Sequence, residues 1–159
     1  MTKVVTYTEE EYVRDTRAHI SSVQQHMQTF AALLKARSVV HDKSKFEEPE
    51  KSILHQNTVE YRRYQFGSVE YQSHLEKVKV ALDHHYGVNS HHPQHYLNGV
   101  AGMDLLDIVE MFCDWMAACN EHGDGKIINS ILENKKRFNY SEELTQILIN
   151  TATRLEPNK

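Results

Sequence analysis

Helical spacing of apolar residues is the feature that most restricts what this chain can fold into. His19, Val23, His26, Phe30 and Leu33 recur at steps of three and four, which places them along one face of a helix. Sustained alternation of apolar and polar residues, the signal of a half-buried strand, is nearly absent. The sequence therefore predicts an all-α fold, a compact bundle of about five to seven helices.

Capping residues mark where the helices begin. Thr8 followed three residues later by Glu11 predicts a capping box at the start of a first helix that runs to about Arg37. Ser141 is a predicted N-cap of the last helix. A chain of 159 residues without an internal repeat or linker predicts one domain, residues 1–159. The other helices are predicted at 50–64, 69–85, 103–120, 126–135 and 141–155.

Composition excludes several classes of protein. The net charge of −4 argues against a nucleic-acid coat or a binder of anionic membranes. Cys113 and Cys119 make neither a disulfide framework nor a zinc knuckle, which fits a reducing compartment. No apolar stretch is long enough to span a bilayer. We therefore expect a cytoplasmic protein.

Histidine is unusually frequent, and several of the histidines lie in or next to the loop predicted at 86–102. The chain has eleven histidines, and a long ordered loop in a compact domain is commonly functional. His85, His91 and His92 are candidate metal ligands, because adjacent histidines on both sides of a short turn can converge. A polar surface loop is the alternative interpretation. Polar surface positions that merely form hydrogen bonds are expected for His55, His74, His84, His95 and His122.

Acidic residues offer partners for these histidines. His41 and Asp42 stand side by side after two valines, and Asp107, Glu110 and Asp114 recur at steps of three and four on a mostly apolar helix. That acidic stripe is either exposed to solvent or directed toward a cation or toward the histidines. Histidine and carboxylate together suit iron, manganese or zinc.

The order of these residues resembles the HD superfamily of metal-dependent phosphohydrolases. The segment 41–45 is similar to the His-Asp turn of its HD-GYP branch, and 110–118 is similar to the final helix of that branch. More closely, most of the chain resembles a family of small uncharacterised proteins from bacteriophages and bacteria. The resemblance implies an all-helical HD-like domain that binds one or two divalent ions. The ligands it implies are His19, His41, Asp42, His85, His91, His92 and Asp114.

Two departures from the HD pattern affect what the resemblance implies. His19 lies only twenty-two positions before His41, which leaves His26 as a rival first ligand. The Gly-Tyr-Pro signature of the HD-GYP branch is replaced by residues 97–100, which argues against a cyclic dinucleotide as substrate.

The function implied by the resemblance is hydrolysis of a phosphate monoester or diester, with a nucleotide-type substrate and metal-activated water. Asp42 would bridge two ions, Lys45 would contact a phosphate oxygen, and Glu110 would accept a proton. One alternative is a metal-stabilised scaffold that binds a protein partner, for which the aromatic and basic run 61–66 is a candidate contact. Another is a di-iron oxygenase of the HD fold. Neither a membrane nor a nucleic acid is an expected partner, and the oligomeric state is left open.

Overall fold

The computed structural model describes residues 7–61, 63–64, 68–121 and 127–155, without the side chains of 61, 120 and 121. Within these ranges the chain forms seven α-helices and no strand, so the predicted all-α class is confirmed. None of these helices is long and apolar enough to cross a membrane. The helices are α1 Glu9–Val40, α2 Glu50–Tyr61, α3 Val69–Lys77, α4 Lys79–Val88, α5 Leu105–Glu121, α6 Ile127–Phe138 and α7 Glu142–Leu155.

Residue contacts divide the chain into two compact units, Met1–Val39 and Val40–Lys159. The single domain inferred from the sequence stays a prediction. In the first unit, α1 begins with the predicted capping box: the Thr8 amide donates to Glu11 Oε2 at 2.8 Å, and the Glu11 amide donates to Thr8 Oγ1 at 3.2 Å. No residue of α1 is buried.

The first helix continues past its predicted end. It runs to Val40 rather than Arg37. Ser38 does not break it, because its hydroxyl donates to the Lys35 carbonyl at 2.8 Å and is satisfied within the helix.

The core of the second unit lies between α5, α6 and α7. Trp115 of α5 stacks on Phe138 and on Tyr140, with ring centroids 6.5 and 6.3 Å apart. The buried Tyr140 hydroxyl donates to the Ile131 carbonyl at 2.6 Å. Ser141 caps α7 as predicted, since its hydroxyl accepts from the Leu144 amide at 3.2 Å. The buried cluster consists of Met111, Phe112, Trp115, Ile127, Ile131, Tyr140, Leu148 and Ala152.

Two shorter helices replace the one predicted at 69–85. The backbone leaves helical values at Val78, a buried residue with φ −100° and ψ 9°, and separates α3 from α4. Upstream, α2 ends at Tyr61 instead of 64. The run 61–66 lies partly outside the described residues, which omit 62 and 65–67.

The segment after α4 is an ordered loop containing two 3₁₀ turns, Pro93–His95 and Gly99–Gly102. Asp107 of α5, a buried residue, fixes this loop. Its Oδ1 accepts from the Ser90 hydroxyl at 2.7 Å, and its Oδ2 accepts from the Tyr96 hydroxyl at 2.6 Å. The predicted functional loop is therefore held against α5.

Candidate metal centre

Asp42 occupies a strained position in the second unit. Its backbone is left-handed, with φ 55° and ψ 17°, and it precedes the 3₁₀ turn Lys43–Phe46. Aspartate tolerates this conformation better than most residues, yet the conformation still costs free energy. The turn directs the Asp42 carboxylate, whose side chain is only 16 % exposed, toward His41, His85 and His91.

The imidazoles around Asp42 point their Nε2 atoms inward. Asp42 Oδ1 lies 3.4 Å from His85 Nε2 and 3.4 Å from His91 Nε2. His92 Nε2 lies 2.8 Å from His85 Nε2. One ligand atom from each of these four residues can be chosen so that all lie within 4.8 Å of one another. We call Asp42, His85, His91 and His92 the four-ligand group.

Two atoms of this group fit a bound cation. Asp42 Oδ1 and His91 Nε2 are buried and have no hydrogen-bond partner in the described part of the chain. Leaving a buried polar atom unpaired costs about 1–3 kcal/mol. Both atoms carry lone pairs, and a divalent ion between them would satisfy both. Three imidazoles with one carboxylate are a donor set for zinc, iron or manganese.

Burial keeps two of the histidines neutral, as metal ligands must be. Desolvation is the main cause that lowers the pKa of His91 to about 4, with His41 and His85 adding positive charge. Desolvation likewise lowers the pKa of His92 to about 2, with His91 and His85 contributing. Neither ring therefore carries a second proton at neutral pH.

Glu110 of α5 holds the outer nitrogens of two histidines. His41 Nδ1 donates to Glu110 Oε1 at 2.8 Å, and His91 Nδ1 lies 3.2 Å from the same oxygen. A carboxylate on the outer nitrogen fixes a ligating histidine's tautomer and orientation. The same three residues could also hold a metal ion, but the 2.8 Å contact of His41 Nδ1 with Glu110 Oε1 is an ordinary hydrogen bond and has the geometry of an orienting carboxylate.

A second group, His41, Asp42 and Asp114, adjoins the first through Asp42. His41 Nε2 lies 3.6 Å from Asp42 Oδ2 and 3.9 Å from Asp114 Oδ1. Burial first, and then the Asp42 charge, raises the pKa of Asp114. We call these residues the three-ligand group.

Lys45 already supplies a positive charge beside that group. Its Nζ donates to Asp42 Oδ2 at 2.6 Å, and its side chain is 45 % exposed. Desolvation works against its charge, but Asp42, Asp114 and Glu50 outweigh that and raise the pKa of Lys45. Desolvation opposes the charge of Asp42 as well, but Lys45 and the nearby histidines leave the pKa of Asp42 below its ordinary value.

The structure brings most of the predicted site residues together in the second unit. The groups that could hold a metal ion contain His41, Asp42, His85, His91, His92 and Asp114, and Lys45 and Glu110 contact them. His19 and His26 are exposed on α1 in the first unit, and the choice between them stays a prediction.

His74, expected at a polar surface position, is instead buried, and two other histidines of that class form hydrogen bonds. His84 Nδ1 donates to Glu50 Oε1 at 2.7 Å, and His95 Nδ1 donates to the Tyr86 carbonyl at 3.0 Å. His122 lies outside the described residues. Sequence reasoning missed Glu50, which is fully buried behind His85. A glutamate in the first turn of a helix is too common to signal such a role.

Comparison with known families covers nearly the whole chain. Residues 8–155 match a family described as "Family of unknown function (DUF5662)". This chain belongs to the DUF5662 family. No curated protein matches it, and no solved structure does either. The matched range of DUF5662 includes every residue of the candidate metal centre.

Proposed function

We propose that this chain is a metal-dependent phosphohydrolase with a nucleotide-type substrate. The observation that carries the proposal is the convergence of three imidazole Nε2 atoms and the Asp42 carboxylate, with two of those atoms buried and unpaired. A divalent ion bound there supplies Lewis acidity and lowers the pKa of a water ligand toward about 7. Cys113 of α5 is exposed and Cys119 is half-buried, and neither forms a disulfide among the described residues, in keeping with the cytoplasmic location that we propose.

Lys45 makes phosphate the favoured substrate group. Its ammonium stays charged and partly exposed at the edge of the four-ligand group, where it can bind a phosphate oxygen as a point charge. The same charge neutralises Asp42 Oδ2, so we propose one ion in the four-ligand group and Lys45 in place of a second ion.

The carboxylates then divide the remaining tasks. Glu110 orients His41 and His91 and is a positioning residue rather than the proton acceptor expected from the sequence. Asp114 is the better candidate to accept a proton, because its pKa is raised and its side chain is 29 % exposed. A general base works best when its pKa approaches the working pH.

The proposed function is tested by loading the protein with manganese, zinc or ferrous iron. Phosphate release is then measured with a panel of nucleoside phosphates and phosphodiesters. We expect one bound ion per chain and hydrolysis of at least one substrate. Lys45→Met should lower kcat/KM by about 10- to 100-fold, the range for a lost charge-assisted hydrogen bond. Lys79→Met is the matched control, because Lys79 is an exposed lysine that pairs only with the neighbouring helical residue Asp83 among the described contacts.

Three results would contradict the proposal. A wild-type chain that binds none of these metals removes its basis. Metal binding without hydrolysis across the panel favours the scaffold, and dioxygen uptake by the ferrous form favours the oxygenase.

A further inference from the structure

Glu50 is a fully buried acid that the proposed chemistry does not use. It begins α2, and its exposed fraction is 0 %. An isolated buried carboxylate costs several kcal/mol, and such groups persist only when they are hydrogen-bonded or paired. The partners of Glu50 therefore indicate why it is there.

Three side chains donate to this carboxylate. His84 Nδ1 donates to Oε1 at 2.7 Å, and His85 Nδ1 and the Ser44 hydroxyl donate to Oε2 at 2.8 and 3.0 Å. Burial alone would raise the pKa of Glu50, but these hydrogen bonds outweigh it and leave the pKa below its ordinary value. An ionised carboxylate can only accept hydrogen bonds.

The distances around His85 Nδ1 indicate which tautomer His85 adopts. The Asn89 amide donates to Ser44 Oγ at 2.8 Å, which leaves the single Ser44 proton for Glu50. Ser44 Oγ and Asn89 Nδ2 also lie 3.3 and 3.1 Å from His85 Nδ1. Glu50 Oε2 is the nearest of the three atoms to that nitrogen, at 2.8 Å, and a carboxylate oxygen accepts, so we infer that His85 carries its proton on Nδ1.

We propose that Glu50 is a positioning residue of the metal centre: it holds the Nδ1 proton of His85 and thereby directs the Nε2 lone pair of His85 at the metal. The inference rests on the proposed metal site. His85 Nε2 faces Asp42 Oδ1 at 3.4 Å, inside the four-ligand group. An outer carboxylate of this kind also makes the imidazole a stronger electron donor.

Two substitutions separate the hydrogen bond from the charge. In Glu50→Gln the amide oxygen can still accept from His85 while the amide nitrogen turns toward the half-exposed His84. The tautomer should survive, and the loss of charge should weaken metal binding by about 10-fold. Glu50→Met removes the acceptor but keeps the length of the side chain. His85 should then lose its fixed Nδ1 proton, and the metal Kd should rise by about 100-fold.

The decisive measurement needs no metal, and its subject is the wild-type chain. In the metal-free wild type, ¹⁵N NMR of labelled histidine, assigned with His85→Gln, should show the Nδ1–H tautomer at His85 at neutral pH. The same spectra of Glu50→Gln should show this tautomer, and those of Glu50→Met should not. Titration with manganese or zinc should then give the lowest dissociation constant for the wild type, a higher one for Glu50→Gln and the highest for Glu50→Met.

Asp107→Asn is the matched control. Asp107 is a buried carboxylate whose described hydrogen bonds involve hydroxyl groups and a backbone amide rather than a histidine ring. We expect it to lower stability and to keep the Nδ1–H tautomer at His85, because its contacts fix the loop of His91 and His92 rather than the His85 ring. An Nε2–H tautomer at His85 in the wild type overturns the inference, even if Glu50→Met does not fold. A metal Kd that is equal in all three chains overturns it as well. This test does not measure phosphate release. A chain that shows the Nδ1–H tautomer and the expected order of dissociation constants but no hydrolysis would therefore contradict only the proposed function.

Discussion

The charge of Asp42 should decide how strongly metal stabilises the folded chain. An ion that binds only the folded state at a hundred times its Kd adds about 2.7 kcal/mol to the free energy of unfolding. In a chain of this size each kcal/mol moves the Tm by about 2–4 °C, so zinc or manganese should raise the wild-type Tm by about 5–11 °C. Asp42→Asn removes the one anion of the four-ligand group. If affinity falls 100-fold, the same metal concentration contributes about 0.4 kcal/mol, or about 1–2 °C.

The metal-free form of Asp42→Asn should remain folded. Asparagine accepts the left-handed backbone as aspartate does, and its amide can donate to His91 Nε2, a buried atom without a partner in the described residues. That new bond offsets the lost pair with Lys45, a contact to a partly exposed ammonium. We expect the metal-free Tm to change by no more than about 4 °C, which corresponds to about 1 kcal/mol.

Differential scanning fluorimetry with and without metal measures both values, at neutral pH and with chelator in the metal-free arm. Asp83→Asn is the control, because Asp83 is exposed and pairs with Lys79 rather than with a residue of the group. Its metal-induced rise should equal that of the wild type. A full rise in Asp42→Asn refutes the assignment of Asp42 as a ligand. An unfolded metal-free Asp42→Asn shows instead that the carboxylate is needed for the fold.

Two further predictions concern pH and the core. In the metal-free chain the folded pKa values of His91 and His92, about 4 and about 2, lie below the ordinary 6.5, so the unfolded state gains protons first as the pH falls. The free energy of unfolding, measured by urea titration, should therefore decrease as the pH is lowered from 6.5. The decrease should reach up to about 1.4 kcal/mol per pH unit for each histidine. A free energy that does not change with pH would contradict the burial of these rings. Tyr140→Phe should lower the free energy of unfolding by about 1–2 kcal/mol, because the hydrogen bond to the Ile131 carbonyl is lost. Metal affinity should stay unchanged. Weaker metal binding would show that this core hydrogen bond also affects the metal site.

The acidic stripe of α5 shows how far sequence reasoning reaches. Steps of three and four place Asp107, Glu110 and Asp114 on one helix face, and the structure keeps them there. The spacing left open whether that face meets water. The answer depends on Ser90 and on the histidines, which a long loop brings to α5, and loop conformation has no periodicity to read.

Other features left no local signal. Val78 interrupts a helix without glycine or proline nearby, so periodicity predicted one helix where there are two. Glu50 acts through a residue thirty-five positions away, and only the folded chain shows that contact. Sequence order predicted which residues meet, but not which carboxylate orients each histidine.

The helix α5 also explains how the metal-free site can be held in place. One of its faces buries Met111, Phe112 and Trp115 in the core, and a neighbouring face carries Glu110 and Asp114 to the site. Each buried large apolar side chain contributes about 1.5–3 kcal/mol, whereas each unpaired ligand atom costs about 1–3 kcal/mol. The core contacts of a single helix are therefore enough to offset the unfavourable assembly of lone pairs around Asp42. The ligand atoms can therefore be preorganised in the metal-free chain. Binding of a metal then recovers the free energy lost by leaving these atoms unpaired.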